Sequence, residues 1–287
     1  MEGINDTNVS NQKPKKNVKG TFLGMGAGTI AQTAMLPVGV LAANKMANIS
    51  KNLSKDQVDI VNNAADNVLN NVTNLAKKGV SIENLKKSDA CGIVDMLNIK
   101  LPECVKNIVD MNYATANGKN AYFSPLLNKV FINKEKLPLA AFHELGHAYN
   151  FNNSGFWKTM QNMRMPGMAL AGLFAMIPIF TKEHKAQEGQ ELTRGQKFKN
   201  GLRKASPILA FVSMFPMLGE EAMASIRGCK WAKQLLDKDL FKKVTKANII
   251  AYGAYLATAL GFSAFALAAK KVKDHFQAKK EAEAQKQ

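Results

Sequence analysis

Two histidines four positions apart carry the clearest chemical pattern in the sequence, His143-Glu144-Leu145-Gly146-His147. On a helix, residues four positions apart lie one turn apart on the same face, so both imidazoles can reach one divalent cation. The carboxylate of Glu144, next to the first histidine, is placed to act on a metal-bound water. The spacing therefore predicts a zinc site that catalyses hydrolysis, most often of peptide bonds.

A zinc site of this kind needs a further ligand, because a catalytic zinc usually has three protein ligands and a water. The three-histidine class would require a glycine at position 150 and a histidine at position 153. The sequence has Asn150 and Asn153 there, which excludes that class. The remaining common ligand is a carboxylate on a second helix, and Glu220 and Glu221 open a run after an apolar block.

The elements that must position the motif are mainly helical. Pro138 suits the first position of the helix that carries the motif. Upstream, residues 121–123 and 129–133 favour two short strands around a turn at Pro125. The sequence thus predicts a mainly α fold with a short β hairpin or strand before the motif helix.

A second predicted helix lies further upstream. Ser54 and Gln57 form a capping-box pattern, which predicts a helix that runs to about Lys78 and ends at Gly79. Shorter helices are expected at 89–97 and 102–111. Apolar residues in the first of these helices recur at helical spacing and predict one buried face, formed by Val58, Val61, Ala65, Val68, Val72 and Leu75.

The N-terminal residues divide into a tail and an apolar segment. Residues 1–20 are polar and rich in Asn and Lys, which predicts a disordered tail. The segment 21–47 is long enough to cross a bilayer, although its Gly, Thr, Gln and Pro residues weaken that prediction. A cleaved signal peptide is the competing interpretation, and the long polar lead argues against it.

Three apolar blocks follow the motif, at 165–180, 207–218 and 247–269. Only the last has a comfortable spanning length, so a core hairpin, a re-entrant pair and a tilted membrane hairpin stay open for the first two. A basic loop, 182–204, separates them, and the charged tail after Lys270 predicts a helix that continues into water. The chain then divides into a tail (1–20), a predicted span (21–47), an N-terminal helical region with the motif helix (48–164), an apolar hairpin (165–219), a third-ligand helix (220–246) and a last span with its tail (247–287).

The charge balance favours an anionic partner. The net charge is +17, from 39 Lys and Arg against 22 Asp and Glu. The basic residues cluster beside the apolar blocks instead of forming one stripe interleaved with aromatics, which indicates a lipid bilayer and no specific nucleic acid. Cys91, Cys104 and Cys229 are scattered and odd in number, so we expect three reduced thiols.

The residues around Glu221 resemble a known group of metallopeptidases. Glu221-x-x-Ala224-Ser225 is similar to the Glu-x-x-Ala-Asp/Ser motif of the membrane gluzincins, and the two apolar blocks before it match the membrane hairpin of that group. The resemblance covers roughly residues 121–269 and includes the strand and helix of the metal motif. It is strongest to the neutral zinc metallopeptidase family of bacterial membrane proteins, and more distant to the heat-shock and CAAX-prenyl membrane proteases.

This resemblance implies roles for individual residues. Glu144 would be the general base and Ser225 would support the first motif histidine. Glu220 would be a solvated neighbour. Related proteins bind an extended peptide along a strand edge, here 130–132. The implied cofactor is one Zn²⁺ per chain, with His143, His147 and Glu221 as ligands, and the open candidates for an oxyanion donor are Tyr149, Arg227, Tyr252 and Tyr255.

The resemblance also implies an integral membrane endopeptidase of a bacterial cell membrane, whose substrates are polypeptides such as membrane or misfolded proteins. Because all the loops are basic, the side of the membrane that carries the site stays open. Two other functions are also open. One is a non-catalytic membrane scaffold or chaperone that retains the fold. The other is a basic, membrane-tethered binder of lipid or nucleic acid.

Overall fold

The computed structural model of the chain describes residues 36–86, 106–107, 110–186 and 189–284, and this part is mainly helical with one small sheet. The predicted fold class is confirmed to that extent. The strands are β1 (Ser81–Asn84), β2 (Tyr122–Ser124) and β3 (Lys129–Ile132). The main helices are α1 (Leu36–Lys51), α2 (Lys55–Asn67), α3 (Met111–Ala116), α4 (Ala141–Asn153), α5 (Gly155–Asn162), α6 (Arg164–Phe180), α7 (Arg194–Ser213), α8 (Phe215–Leu235) and α9 (Lys238–Ala284).

The capping box at the start of α2 is confirmed, since the side chains and backbone amides of Ser54 and Gln57 bond reciprocally. The helix ends earlier than predicted, at Asn67, and a π-helical turn, Val68–Val72, follows. Asparagine side chains in this turn bond back to the preceding turn and so compete with regular helix geometry. The segment does stop at Gly79, which has a φ of 78°.

Of the other predictions for this part of the chain, some are confirmed, one is wrong in part, and others lie outside the described residues. The predicted buried face of α2 and the turns after it is wrong at Val72, which is exposed. The predicted helix at 89–97 lies outside the described residues, and so does most of the one at 102–111. The described helix nearby, α3, begins at Met111, where Asp110 caps its first turn. Cys229 is a free thiol as expected, whereas Cys91 and Cys104 lie outside the described residues.

The sheet contains one strand that sequence analysis missed. β2 and β3 form the predicted antiparallel hairpin, and β1 pairs with β3 in parallel on its other side. The expectation that residues 130–132 offer a free edge to a peptide is therefore wrong, because β3 is the central strand. The sheet packs against α4, where Val130 and Ile132 are buried with Phe142 in the largest core cluster.

The motif helix lies very close to α8. Pro138 begins a 3₁₀ turn that leads into α4, so the predicted helix start is confirmed. A Cβ atom on Gly146 would lie 2.3 Å from the carbonyl oxygen of Ala224, and one on Gly228 would lie 2.7 Å from that of Phe142. Two glycines, one on each helix, thus allow the backbones of α4 and α8 to approach within a distance that no other residue permits.

The C-terminal helices α6, α7, α8 and α9 pack against one another as a bundle. Two helical runs are long and apolar enough to cross a membrane, Arg194–Leu235 and Lys238–Ala284. Block 207–218 therefore lies within such a run, contrary to the expectation that only the last block is long enough. The bent pair α5 and α6 would make a third span. The predicted helical tail after Lys270 is confirmed.

The predicted span 21–47 is described only in part. Its described portion lies in α1, which has 16 residues and is short for a membrane crossing. This helix packs along α9. Its inner face contributes Met46 to the packing around the motif helix.

Candidate metal centre

The two motif histidines lie on one buried face of α4. Their Nε2 atoms are 2.9 Å apart. Oε2 of Glu221, near the start of α8, lies 3.0 Å from Nε2 of His143 and 3.5 Å from Nε2 of His147. The structure therefore brings together one atom from each of the three residues that sequence analysis proposed as ligands.

The outer nitrogen of each imidazole has its own partner. Nδ1 of His143 lies 3.1 Å from Oγ of Ser225, the residue expected to support it. Nδ1 of His147 lies 2.8 Å from Oε1 and 2.7 Å from Oε2 of Glu220. If the Nδ1 protons are assigned to these partners, both Nε2 atoms present lone pairs to the oxygen of Glu221. Three acceptors then face one another, an arrangement that a bound cation would stabilise.

Glu220 is not the solvated neighbour that sequence analysis expected. Its side chain is fully buried and bonds to His147, and it also accepts a hydrogen bond of 3.1 Å from Asn150 Nδ2. Successive residues on a helix point about 100° apart, so Glu220 and Glu221 meet different sides of the same imidazole. Burial lowers the pKa of His147, but the two carboxylates outweigh burial and raise it to about 10.

Arg164 is a functional candidate that sequence analysis missed. It is the first residue of α6, and its guanidinium reaches both carboxylates of α8. Nη1 lies 3.2 Å from Oε2 of Glu220, and Nη2 donates to Oε1 of Glu221. No local pattern links position 164 to positions 220 and 221, because the contact arises only from the packing of α6 against α8.

Glu144 lies beside the histidines and borders a small cavity. Its carboxylate belongs to a buried group with His143 and His147 in which one ligand atom from each lies within 4.8 Å of the others. Burial raises the pKa of Glu144, and the two nearby histidines oppose that shift. The cavity has a volume of about 50 Å³, and apolar side chains such as Met46 and Leu137 form much of its lining.

Of the four candidate oxyanion donors, Tyr255 is the one that borders this cavity with Glu144. Its side chain also lies close enough to the Glu221 carboxylate to interact with it. Arg227 and Tyr149 instead stack on each other, with the guanidinium 4.4 Å from the ring centre. Tyr252 lies on the same helix as Tyr255 but does not line the cavity.

No protein-family model, curated protein or solved structure matches this chain. Its resemblance to the membrane gluzincins thus rests on its own residues. The arrangement of those residues is the basis for any functional assignment.

The donor set fits a zinc ion in both geometry and charge. A tetrahedral zinc site with bonds of about 2.0–2.1 Å places neighbouring ligand atoms roughly 3.3 Å apart. The distances among the three converging atoms, 2.9, 3.0 and 3.5 Å, lie close to that value. A bound metal would displace the proton that the raised pKa of His147 favours. With neutral imidazoles, the three carboxylates of Glu144, Glu220 and Glu221 and the single guanidinium of Arg164 leave two negative charges, which a divalent cation would balance.

Proposed function

We propose that this protein is a zinc-dependent endopeptidase of the membrane, of the gluzincin type. The observation that carries the proposal is the convergence of Nε2 of His143, Nε2 of His147 and Oε2 of Glu221 beside a buried Glu144. Nitrogen and carboxylate ligands in this combination are typical of catalytic zinc. The Glu-x-x-Ala-Ser run that supplies Glu221 and Ser225 supports the same assignment.

The residues of the chain divide the chemistry among them. A bound zinc would polarise the scissile carbonyl and lower the pKa of a coordinated water towards about 7. Glu144 accepts the proton of the attacking water and later donates it to the leaving amine. Tyr255 can donate to the developing oxyanion.

The outer faces of the bundle support a membrane location. Large apolar side chains point away from the protein on all four bundle helices, in a chain whose net charge is +17. Soluble monomers rarely expose apolar surface on this scale. The exposed apolar residues include Leu170, Leu173 and Phe180 of α6, Ile208 and Val212 of α7, Phe215 and Ile226 of α8, and Ile249, Leu260 and Leu267 of α9.

A non-catalytic scaffold is the second candidate, and one observation favours it. His143, Glu144 and His147 are only 6%, 6% and 4% exposed, and the adjoining cavity of about 50 Å³ has no room for an extended peptide. A peptidase would have to open this region to admit substrate. A scaffold would need the metal only to hold α4 and α8 together.

The variant Glu144→Gln separates the two functions, because it keeps the size of the side chain and removes the base. We expect purified full-length protein in detergent to cleave fluorescent casein, and the variant to lose about 10²- to 10⁴-fold in rate while retaining its zinc. The matched control is Glu191→Gln, which changes an exposed carboxylate and should leave the rate unchanged.

Wild-type protein that binds zinc stoichiometrically, yet shows no cleavage that depends on Glu144, would contradict the proposal and favour the scaffold. Binding to anionic lipid or nucleic acid that falls steeply with salt and is indifferent to His143→Ala would favour the basic binder instead.

A further inference from the structure

We propose that Arg164 is a positioning residue of the metal centre, which holds two adjacent buried carboxylates so that each faces its own side of the histidine pair. This inference rests on the zinc site proposed above. It assigns a role to a residue that lies outside both metal motifs and belongs to a different helix.

The geometry places both carboxylates between an imidazole and the guanidinium. Glu221 directs Oε2 to the two Nε2 atoms and Oε1 to Arg164. Glu220 bonds to Nδ1 of His147 through both oxygens, and its Oε2 also accepts from Arg164. The planar fork of a guanidinium fixes such acceptors in direction as well as in distance. Arg164 thereby leaves Glu221 one free oxygen for a metal.

The charges explain why a cation is needed at this point. Glu220 and Glu221 are both fully buried, and two adjacent buried carboxylates repel each other strongly unless a cation compensates them. The histidines have to be neutral to bind a metal, so they cannot supply that charge. Arg164 remains charged at any relevant pH and compensates one carboxylate, while the metal would compensate the rest.

Arg203 provides a matched control within the same bundle. It is buried, and its guanidinium pairs with Asp274 at 2.8 Å. It lies on α7, in contact with the backbone that follows α6, whereas Arg164 begins α6. Replacing either arginine removes a guanidinium and its ion pairing, and although Arg164 is partly exposed and Arg203 is buried, only Arg164 touches the candidate metal centre.

The experiment measures zinc affinity by competition with a chromogenic chelator, using the full-length protein in detergent. We expect Arg164→Met to weaken zinc binding by about 10- to 100-fold, the range typical of residues that orient metal ligands, and Arg203→Met to leave it unchanged. The absorption spectrum of the Co²⁺-loaded Arg164 variant should also shift, because Glu221 would bind in a different orientation.

A second substitution tests positioning against simple loss of stability. Glu220→Gln removes one negative charge and keeps an acceptor for Nδ1 of His147. Added to Arg164→Met, it should cost less zinc affinity than it costs in the wild-type protein, because both changes then act on the same arrangement of carboxylates. If Arg164→Met does not fold, Arg164→Lys serves the same test: a charge without the fork should lose affinity and shift the Co²⁺ spectrum.

The outcomes are distinguishable. Zinc affinity and Co²⁺ spectrum unchanged in the Arg164 variants would overturn this inference while leaving the zinc site intact. Equal losses in the Arg164 and Arg203 variants would also overturn it, since they would indicate a general effect on the bundle. A wild-type protein that binds no zinc would overturn the proposed function and this inference with it.

Discussion

Two polar clusters lie at the two ends of α6, and they differ in the kinds of polar group that lie together in them. The distal cluster, at the C-terminal end of α6, contains Arg203 and Lys273. Arg203 pairs with Asp274 and donates to the backbone carbonyl of Thr181, and Lys273 donates to the backbone carbonyl of Ile179. Its charges are paired within the chain, although neither Nη atom of Arg203 has a hydrogen-bond partner among the described residues. In the candidate metal centre, at the start of α6, two imidazole nitrogens and one carboxylate oxygen face one another across 2.9 to 3.5 Å, and all three are acceptors when the imidazoles are neutral.

The comparison teaches that burial of charge alone does not identify a site. Both clusters contain an arginine that is paired with a buried or half-buried carboxylate, and the distal cluster is compatible with a purely structural role. The candidate metal centre differs because its ligand atoms converge on one point. The outer nitrogens of the two imidazoles and the other oxygen of Glu221 already have partners of their own. A bound cation would stabilise such an arrangement, in agreement with the proposed zinc site.

The distance between neighbouring helix backbones also differs between the two clusters. At the metal centre, α4 and α8 touch at Gly146 and Gly228, and a Cβ atom at either position would overlap a carbonyl group. Near the distal cluster, Gly201 of α7 has open space around it. Of these positions, the two at the candidate metal centre lie where ligand positions have to be held accurately.

We expect the largest loss of zinc binding and of stability when one methyl group is added at the contact between α4 and α8. We expect Gly146→Ala to abolish stoichiometric zinc binding and to lower the free energy of unfolding by about 3 kcal/mol, because the new Cβ forces α4 away from α8. Thermal unfolding and zinc content, measured on the same preparation, check both effects.

Gly201→Ala is the matched control for that substitution. It should raise stability by about 0.5–1 kcal/mol, since alanine favours a helix interior over glycine, and should not change zinc content. Similar behaviour of the two variants would show that the α4–α8 contact has no special role in the site.

A smaller effect is expected at the contact between Ser225 and His143. Ser225→Ala removes the hydroxyl that lies 3.1 Å from Nδ1 of His143. Zinc affinity should fall by about 10-fold, the lower end for a residue that orients a ligand. Competition with a chelator measures this change. A loss as large as that from replacing a ligand would mean that Ser225 does more than orient the imidazole.

Features encoded by neighbouring residues could be predicted from the sequence. The capping box at Ser54, the helix start at Pro138 and the hairpin of β2 and β3 each depend on a few adjacent side chains. The placement of His143 and His147 on one face follows from helix geometry alone. These predictions held because no distant contact competes with the local preference.

Features set by distant packing could not be predicted in this way. Strand β1 has a short, mixed sequence and exists because β3 offers it an edge. Glu220 seemed solvated because its burial depends on how α8 crosses α4. Arg164 meets the carboxylates only across the interface of α6 with α8. The early end of α2 came from asparagine side chains that bond back to the helix and outweigh an apolar repeat.

The most direct test of the account is the zinc content of wild-type protein beside Glu221→Ala and Glu220→Ala, determined by elemental analysis after purification in detergent. Wild type should contain one zinc ion per chain, Glu221→Ala should lose it, and Glu220→Ala should retain zinc with weaker affinity. Glu191→Ala, at an exposed position, should match wild type. Zinc retained in Glu221→Ala and lost from Glu220→Ala would contradict the proposed ligand set.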